Sequence, residues 1–389
     1  MKLSRKMSRL STESAFKVLA QAQSLESKGV DVIHLEIGEP DFITPKHICE
    51  AATEALDKGY TGYCDSQGLL PLRVEIAKEC EKTRGISVDP ECVVVTPGAK
   101  PIMFYSILAL LEEGDEVICP NPSFPIYESM INFAGAKAVP IQLCEEKDFR
   151  FETDELEAKI TPQTKLIIIN SPHNPTGSIL EADDILAIAD IAQKHDIVVL
   201  SDEIYENIIY EGNHYSVASL PGMLDRTILL SGFSKSYAMT GWRLGYAVVP
   251  SELVDPIVRL IVNSVSCTAP FIQYAGIKAL TGPQDSLFQM VSEFRRRRDL
   301  IVDGLNAIPG ISCRRPKGAF YVFPNVTKLG VNCKQLADIL LNEAGVATLA
   351  GIDFGKYGEG YIRVSYTNSL ENIEKGLDRI KNAVAKIVA

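Results

Sequence analysis

Lys235 and Arg243 are the first residues of the sequence whose types and spacing suggest chemistry. They lie in SGFSKSYAMTGWRLGY, residues 231–246, which follows the apolar run RTILL. A lysine amine forms a Schiff base with an aldehyde, and an arginine binds phosphate or carboxylate through paired hydrogen bonds. A lysine at the end of a strand is more often a solvated charge, so Lys235 alone does not identify a site.

Polar motifs follow three other apolar runs in the same way. TPGAK (96–100) follows CVVV, NSPHNPTG (170–177) follows LIII, and SDEIY (201–205) follows IVVL. Each has a plain alternative reading as a helix start, a turn or a surface acid. In a parallel sheet, however, ligands bind outside the carboxyl ends of the strands. Four such motifs therefore predict a site at one edge of a sheet.

The motifs also complement each other chemically. A lysine provides the amine for a Schiff base, and a buried carboxylate such as Asp202 favours a protonated pyridine nitrogen. A glycine-rich helix start, with an arginine and serines, binds phosphate. Lysine, acid and phosphate cradle together are what pyridoxal phosphate requires, since its protonated ring withdraws electrons from the Cα of a bound amino acid.

The elements that must position these residues alternate along the chain. From residue 91 to about 250, short β-rich runs alternate with helical stretches. This alternation predicts an α/β fold, with a mostly parallel sheet covered by helices on both faces. We assign this large domain to residues 47–282. Residues 1–46 and 283–389 are predicted to form a smaller α+β domain.

Composition narrows the class of protein. The net charge of −11 over 389 residues disfavours nucleic acid and anionic membrane as partners. Nine scattered cysteines without CxxC spacing predict reduced thiols, and the five histidines show no metal-ligand spacing. The N-terminus lacks the apolar block of a signal peptide, so a cytoplasmic location is expected. The basic run Arg295–Arg298 is predicted to form a solvated helix face with some ion pairs.

The order SPHNPTG, SDEIY and FSKSYAMTGWRLGY resembles the class I aminotransferases, which bind pyridoxal phosphate in a type I fold, and is closest to the aspartate aminotransferases. The resemblance extends from HLEIGEPDF at residue 34 to GYIRVSYTNS, which ends at residue 369. It implies a homodimer with shared active sites. It also implies transamination between an amino acid, with aspartate favoured, and a 2-oxo acid such as 2-oxoglutarate.

The resemblance implies a role for individual residues. Lys235 would bind the cofactor as a Schiff base and move the proton between the substrate Cα and the cofactor. Asp202 would pair with the ring nitrogen. Tyr205 and Asn174 would bind the phenolic oxygen, and Phe124 would stack on the ring.

The resemblance also implies how the phosphate and the substrate are bound. The residues that would surround the phosphate are Gly98, Ala99, Lys100, Ser234 and Arg243. Tyr63 would reach the phosphate of the neighbouring subunit. Arg363 would clamp the substrate carboxylate, because its two-pronged hydrogen bond is one that lysine cannot copy. Gly38 would add a backbone N–H, and Asn174 would also contact the substrate.

Two positions depart from the family pattern and leave alternatives open. Gly232 occupies a position where many relatives have serine, so Ser231 or Ser234 must supply that hydroxyl. Phe124 stands where aspartate-specific members often carry tryptophan. Donors of aromatic, alanine or diaminopimelate type therefore stay open, as does a β-lyase reaction on the same fold. A ligand-sensing regulatory module is a further alternative, and the sequence lacks the GxGxxG motif of a dehydrogenase.

Overall fold

The computed structural model describes residues 3–388, which form twelve helices of α type and twelve strands. The strands are β1 Ile33–His34, β2 Val93–Thr96, β3 Glu116–Asn121, β4 Lys137–Gln142, β5 Thr164–Asn170, β6 Val198–Asp202, β7 Thr227–Gly232, β8 Gly245–Val248, β9 Tyr321–Val322, β10 Val346–Ala347, β11 Leu349–Ala350 and β12 Ile362–Ser365. The helices are α1 Ser14–Glu26, α2 Lys46–Asp57, α3 Leu70–Arg84, α4 Lys100–Leu110, α5 Ile126–Ala134, α6 Thr153–Ala158, α7 Ala182–His195, α8 Ser251–Val262, α9 Pro270–Thr281, α10 Asp285–Asn306, α11 Cys333–Asn342 and α12 Leu370–Val388.

A seven-stranded sheet in the order β2-β8-β7-β6-β5-β3-β4 forms the centre of the molecule. Strand β8 pairs antiparallel with both of its neighbours, and the other pairs are parallel. The predicted mostly parallel sheet is therefore confirmed. The strands β2, β5, β6 and β7 run in the same direction, so their carboxyl ends meet at one edge.

Helices cover both faces of this sheet, as the apolar strands require. The alternation of side chains along β2 shows the two sides, because neighbouring residues of a strand point to opposite faces. Val93 and Val95 pack in the cluster that contains residues of α2, α3 and α9. Val94 packs on the other face, with residues of α4 and α8.

Two smaller sheets accompany the C-terminal third. One is antiparallel, in the order β11-β12-β9, and the other pairs β1 with β10 in parallel. Ile33 and Leu35 join a core with residues of α10 and α12, so the N-terminal segment packs against the end of the chain. The boundaries at residues 47 and 282 stay a prediction, and residues 1, 2 and 389 of the predicted ranges lie outside the described residues.

The arginine run on α10 differs from the sequence expectation. Arg296 is exposed, but the side chains of Arg297 and Arg298 are only 8% and 5% exposed. Arg297 pairs with Asp41 at 2.6 Å, and Arg298 pairs with Glu211 at 2.7 Å. The prediction of a solvated face was wrong for these two residues because their partners lie far away in the sequence.

All nine cysteines are unpaired. Within residues 3–388, no helix combines the length and the apolar character needed to cross a membrane.

Candidate active site

A cavity of about 480 Å³ opens at the carboxyl edge of the large sheet. Most of the predicted site residues line it, namely Gly38, Ala99, Lys100, Phe124, Asn174, Asp202, Tyr205, Ser234, Lys235, Arg243 and Arg363. The strand ends β2, β5, β6 and β7 bring them together, although the first and last of these residues are 325 positions apart in the sequence. Gly98 lies directly behind the wall, and Tyr63 lies outside the cavity.

Lys235 follows β7 in a turn and extends its amine into the cavity. Its Nζ donates a hydrogen bond to the carbonyl oxygen of Gly38 at 2.6 Å. Burial lowers the pKa of Lys235 to about 8, with Arg363 and Lys100 also lowering it and Glu39 opposing the shift. A substantial share of this amine is therefore neutral near neutral pH, as a nucleophile or a proton acceptor must be.

Asp202 ends β6 and is 5% exposed. Burial raises the pKa of its carboxyl to about 6. Its Oδ2 accepts a hydrogen bond from the hydroxyl of Tyr127 at 2.5 Å, and its Oδ1 accepts one from the backbone N–H of Ile204 at 3.2 Å. A cation placed against this carboxylate would relieve the cost of its burial.

Tyr127 was not predicted from the sequence. It lies on α5, three residues after Phe124, so both side chains share one face of the helix. The two rings contact each other edge to face, with centroids 5.6 Å apart. The spacing SFPIY was the signal that could have identified Tyr127.

Two further unpredicted residues hold the polar side of the cavity. Asn170 donates a hydrogen bond to the carbonyl of Asp202 at 2.9 Å and accepts one from the backbone N–H of Asn174 at 2.9 Å. The hydroxyls of Tyr205 and Tyr321 lie 2.8 Å apart. Asn170 ends β5 and was available as a strand-end residue, whereas no local pattern marked Tyr321.

Arg363 lies on β12 and is 4% exposed. Its Nη1 donates to Oδ1 of Asn174 at 3.2 Å, and its Nη2 donates to the carbonyl oxygen of Glu36. Its Nε is buried and has no hydrogen-bond partner among residues 3–388. An unsatisfied buried guanidinium N–H is costly, so this group is a ready donor for an anionic ligand.

The start of α4 and Arg243 form the opposite end of the cavity. Gly98 has φ = +88°, and a Cβ atom at this position would collide with the guanidinium of Arg243. Glycine is therefore required for this close approach. Arg243 itself has φ = +55° and precedes β8, so the expectation that it lies on the strand was wrong.

The two candidate serines have different surroundings. Ser231 donates its hydroxyl to Oε1 of Glu206 at 2.8 Å and does not line the cavity. Ser234 does line the cavity and is 7% exposed. Ser234 is therefore the serine available to a bound phosphate.

The N-terminal segment contributes a wall that the sequence did not predict. Glu13 and Phe16 line the cavity, and Glu13 forms an ion pair with Lys100. The Nζ of Lys100 also lies 5.4 Å from the centre of the Phe124 ring. These contacts join positions 87 residues apart in the sequence, so no local motif could reveal them.

The chain is similar to proteins of known name over almost its whole length. The model of the family described as aminotransferase class I and II matches residues 30–380. An aromatic-amino-acid aminotransferase 2 of Thermococcus litoralis is 41% identical, over 99% of this chain and 98% of that protein. An aspartate aminotransferase of Pyrococcus abyssi is 44% identical, over 91% and 92% of the two chains. The solved structure of the aspartate aminotransferase from Thermus thermophilus with maleate superposes with a TM-score of 0.94 at 37% identity, covering 98% of this chain and 100% of that one.

Proposed function

This chain belongs to the class I and II aminotransferases, and we propose that it moves the amino group of aspartate to a 2-oxo acid such as 2-oxoglutarate. The resemblance found in the sequence and the expected reaction, pyridoxal-phosphate-dependent transamination, are thereby confirmed. The choice of donor and the residue roles are the proposal. The observation that carries it is the amine of Lys235, with its lowered pKa, in a cavity with the buried carboxylate Asp202 and the cation Arg363.

The residues of the cavity fit pyridoxal phosphate, the cofactor that the family implies. Asp202 would hold the ring nitrogen protonated, since its buried carboxylate contacts no cationic side chain within hydrogen-bond distance among the described residues. The phosphate would bind at the start of α4, with Ser234 and Arg243, because helix N-termini and guanidinium groups attract anions. Asn174 and Tyr205 would hold the phenolic oxygen, and Phe124 would lie on the ring.

Bound pyridoxal phosphate supplies an aldehyde for the amino group and a protonated ring that withdraws electrons from the substrate Cα. Lys235 then acts as the base that removes the Cα proton and as the acid that returns a proton. Its lowered pKa suits both roles near neutral pH. Arg363 orients the substrate by its α-carboxylate, which fixes the Cα proton within reach of the lysine.

An aromatic donor is the second candidate. The Thermococcus litoralis relative is named for aromatic amino acids, and Phe16 and Phe124 line the cavity of this chain. Lys100 also lies in the wall, but Glu13 already neutralises its charge. Both an acidic and an aromatic side chain therefore have contacts available.

A donor panel tests the proposal. We expect product formation from aspartate and 2-oxoglutarate, measured as oxaloacetate and glutamate, with aromatic and alanine donors run in parallel. A higher kcat/KM for aromatic donors would replace aspartate by the second candidate. Release of ammonia and pyruvate from a cysteine-type substrate without any acceptor would indicate a β-lyase instead.

Lys235 should titrate near pH 8 in the cofactor-free protein. Only the neutral amine reacts with a small acylating reagent, so the rate at Lys235 is expected to reach half its maximum near pH 8. In the protein unfolded in urea, the same lysine should reach it at about pH 10.4, the ordinary value. Mass spectrometry of the Lys235 peptide measures both rates, and a folded-state midpoint above pH 10 would contradict the lowered pKa.

Tyr63→Phe should loosen the cofactor at least about tenfold, because a hydrogen bond to a charged group contributes roughly 1.5–3 kcal/mol. The side chain of Tyr63 is 90% exposed and lies outside the cavity of its own chain, so this effect requires a second subunit. We propose that the protein is a homodimer in which Tyr63 completes the partner's phosphate site. Equilibrium titration with pyridoxal phosphate measures the effect, and Tyr215→Phe is the control. Equal affinity of Tyr63→Phe and wild type would remove the shared site. The cytoplasmic location stays a prediction from the sequence.

A further inference from the structure

A buried cluster of charged side chains lies beside the cavity without lining it. We define the Arg84 cluster as Arg84, Glu203, Glu206 and His214. The side chains of Arg84 and Glu203 are each 1% exposed, and those of Glu206 and His214 are 10% and 12% exposed. None of them lines the cavity, so the proposed reaction leaves their burial unexplained.

Glu203 is the centre of the cluster. Its Oε2 accepts a hydrogen bond from Nε of Arg84 at 2.8 Å and lies 2.9 Å from Nε2 of His214. Its Oε1 accepts hydrogen bonds from Ser201 at 2.9 Å and Ser216 at 2.6 Å. Burial raises the pKa of Glu203, but Arg84 and His214 outweigh this effect and hold it at about 2. Glu203 is therefore an anion with every oxygen satisfied.

Arg84 joins two glutamates at once. The same guanidinium that binds Glu203 also forms an ion pair with Glu206. Glu206 in turn accepts a hydrogen bond from Ser231 of β7 at 2.8 Å. The cluster thus links the C-terminal end of α3 to the ends of β6 and β7.

These contacts lie one peptide unit from the proposed cofactor site. Glu203 directly follows Asp202, and Glu206 directly follows Tyr205. Ser231 stands four residues before Lys235. The backbone adds a direct link between the two strands, since the N–H of Glu203 donates to the carbonyl of Leu230 at 2.8 Å.

Two other readings of the cluster are less suitable. The side chains of Glu203, Glu206 and His214 are close enough to bind a metal ion, but the guanidinium of Arg84 already contacts both carboxylates and would repel a cation. A purely stabilising role is also a poor explanation, because apolar residues of similar volume stabilise a core as well as a buried ion pair does.

We propose that Arg84 is a positioning residue, which binds Glu203 and Glu206 together and thereby fixes Asp202, Tyr205 and Lys235 relative to each other. This inference rests on the proposed cofactor site. Arg84 acts only through the backbone of the two strand ends and touches neither cofactor nor substrate. Its loss should therefore weaken cofactor binding more than a comparable loss of stability elsewhere in the chain.

The test is the dissociation constant of pyridoxal phosphate for the cofactor-free protein, measured together with urea unfolding. Arg84→Met is expected to raise this constant at least tenfold. Arg150→Met is the matched control, because Arg150 binds both carboxylate oxygens of the buried Asp184, at 3.1 and 2.9 Å, and neither residue lines the cavity. It should lower the stability with less than a twofold change in the dissociation constant.

Arg84→Met leaves two buried carboxylates without their cation and can fail to fold. The triple variant Arg84→Met, Glu203→Gln, Glu206→Gln removes the buried charges, so we expect it to fold and still to bind the cofactor at least tenfold more weakly. Wild-type affinity in either folded variant would overturn the positioning role. If wild type itself failed to bind pyridoxal phosphate, the proposed function would fail instead, so the two failures are distinguishable.

Discussion

Lys235→Ala is expected to lower kcat for transamination by at least about 10⁴-fold, which corresponds to roughly 5 kcal/mol of transition-state stabilisation. The amine of Lys235 is the one positioned by Gly38 at 2.6 Å, and its pKa of about 8 makes it competent to accept the Cα proton. Alanine has no group that can move a proton. The measurement is the rate of oxaloacetate formation from aspartate and 2-oxoglutarate under saturating cofactor.

Lys235→Arg provides the matched variant. Arginine retains the positive charge in the cavity but does not deprotonate in proteins, so it cannot act as the base. We expect Lys235→Arg to be as inactive as Lys235→Ala, whereas Lys46→Ala, at an 89% exposed side chain, should retain wild-type activity. Turnover within tenfold of wild type in either Lys235 variant would remove the lysine from the mechanism.

Asp202→Asn is expected to lower kcat by about 10²- to 10³-fold, because an opposite charge in contact shifts the pKa of a group by roughly 1–3 units. The amide has nearly the same shape as the carboxylate. It can still accept the hydrogen bond from the Ile204 N–H, which Asp202 accepts at 3.2 Å. It carries no charge, however, and cannot hold a ring nitrogen protonated. Steady-state kinetics with a cofactor titration would separate the loss in kcat from weaker cofactor binding.

Asp184→Asn is the control for this substitution. Asp184 is 6% exposed, close to the 5% of Asp202, and pairs with Arg150 away from the cavity. Its replacement should change stability without changing kcat. If Asp202→Asn kept more than a tenth of the wild-type kcat with cofactor bound, the ring-nitrogen role of Asp202 would be untenable.

The sequence predicted the large sheet because its signals are local. Runs such as CVVV and LIII alternate with amphipathic stretches, and a parallel sheet covered on both faces is the arrangement that buries both. The carboxyl ends of the parallel strands then necessarily meet at one edge. For this reason Asp202, Asn174 and Lys235 could be placed in one site although they lie on different strands.

The sequence alone determined the reaction class and the residues that stand within strand-end motifs. The tertiary structure decided which other residues complete the site, because their contacts span long separations in the chain. Tyr127 reaches Asp202 across 75 residues, Tyr321 reaches Tyr205 across 116, and Arg84 reaches Glu203 across 119. It also decided that Arg297 and Arg298 are buried and that Ser231 turns away from the cavity. Local sequence patterns report which way a side chain points within its own element, whereas burial and pairing depend on elements that only folding brings together.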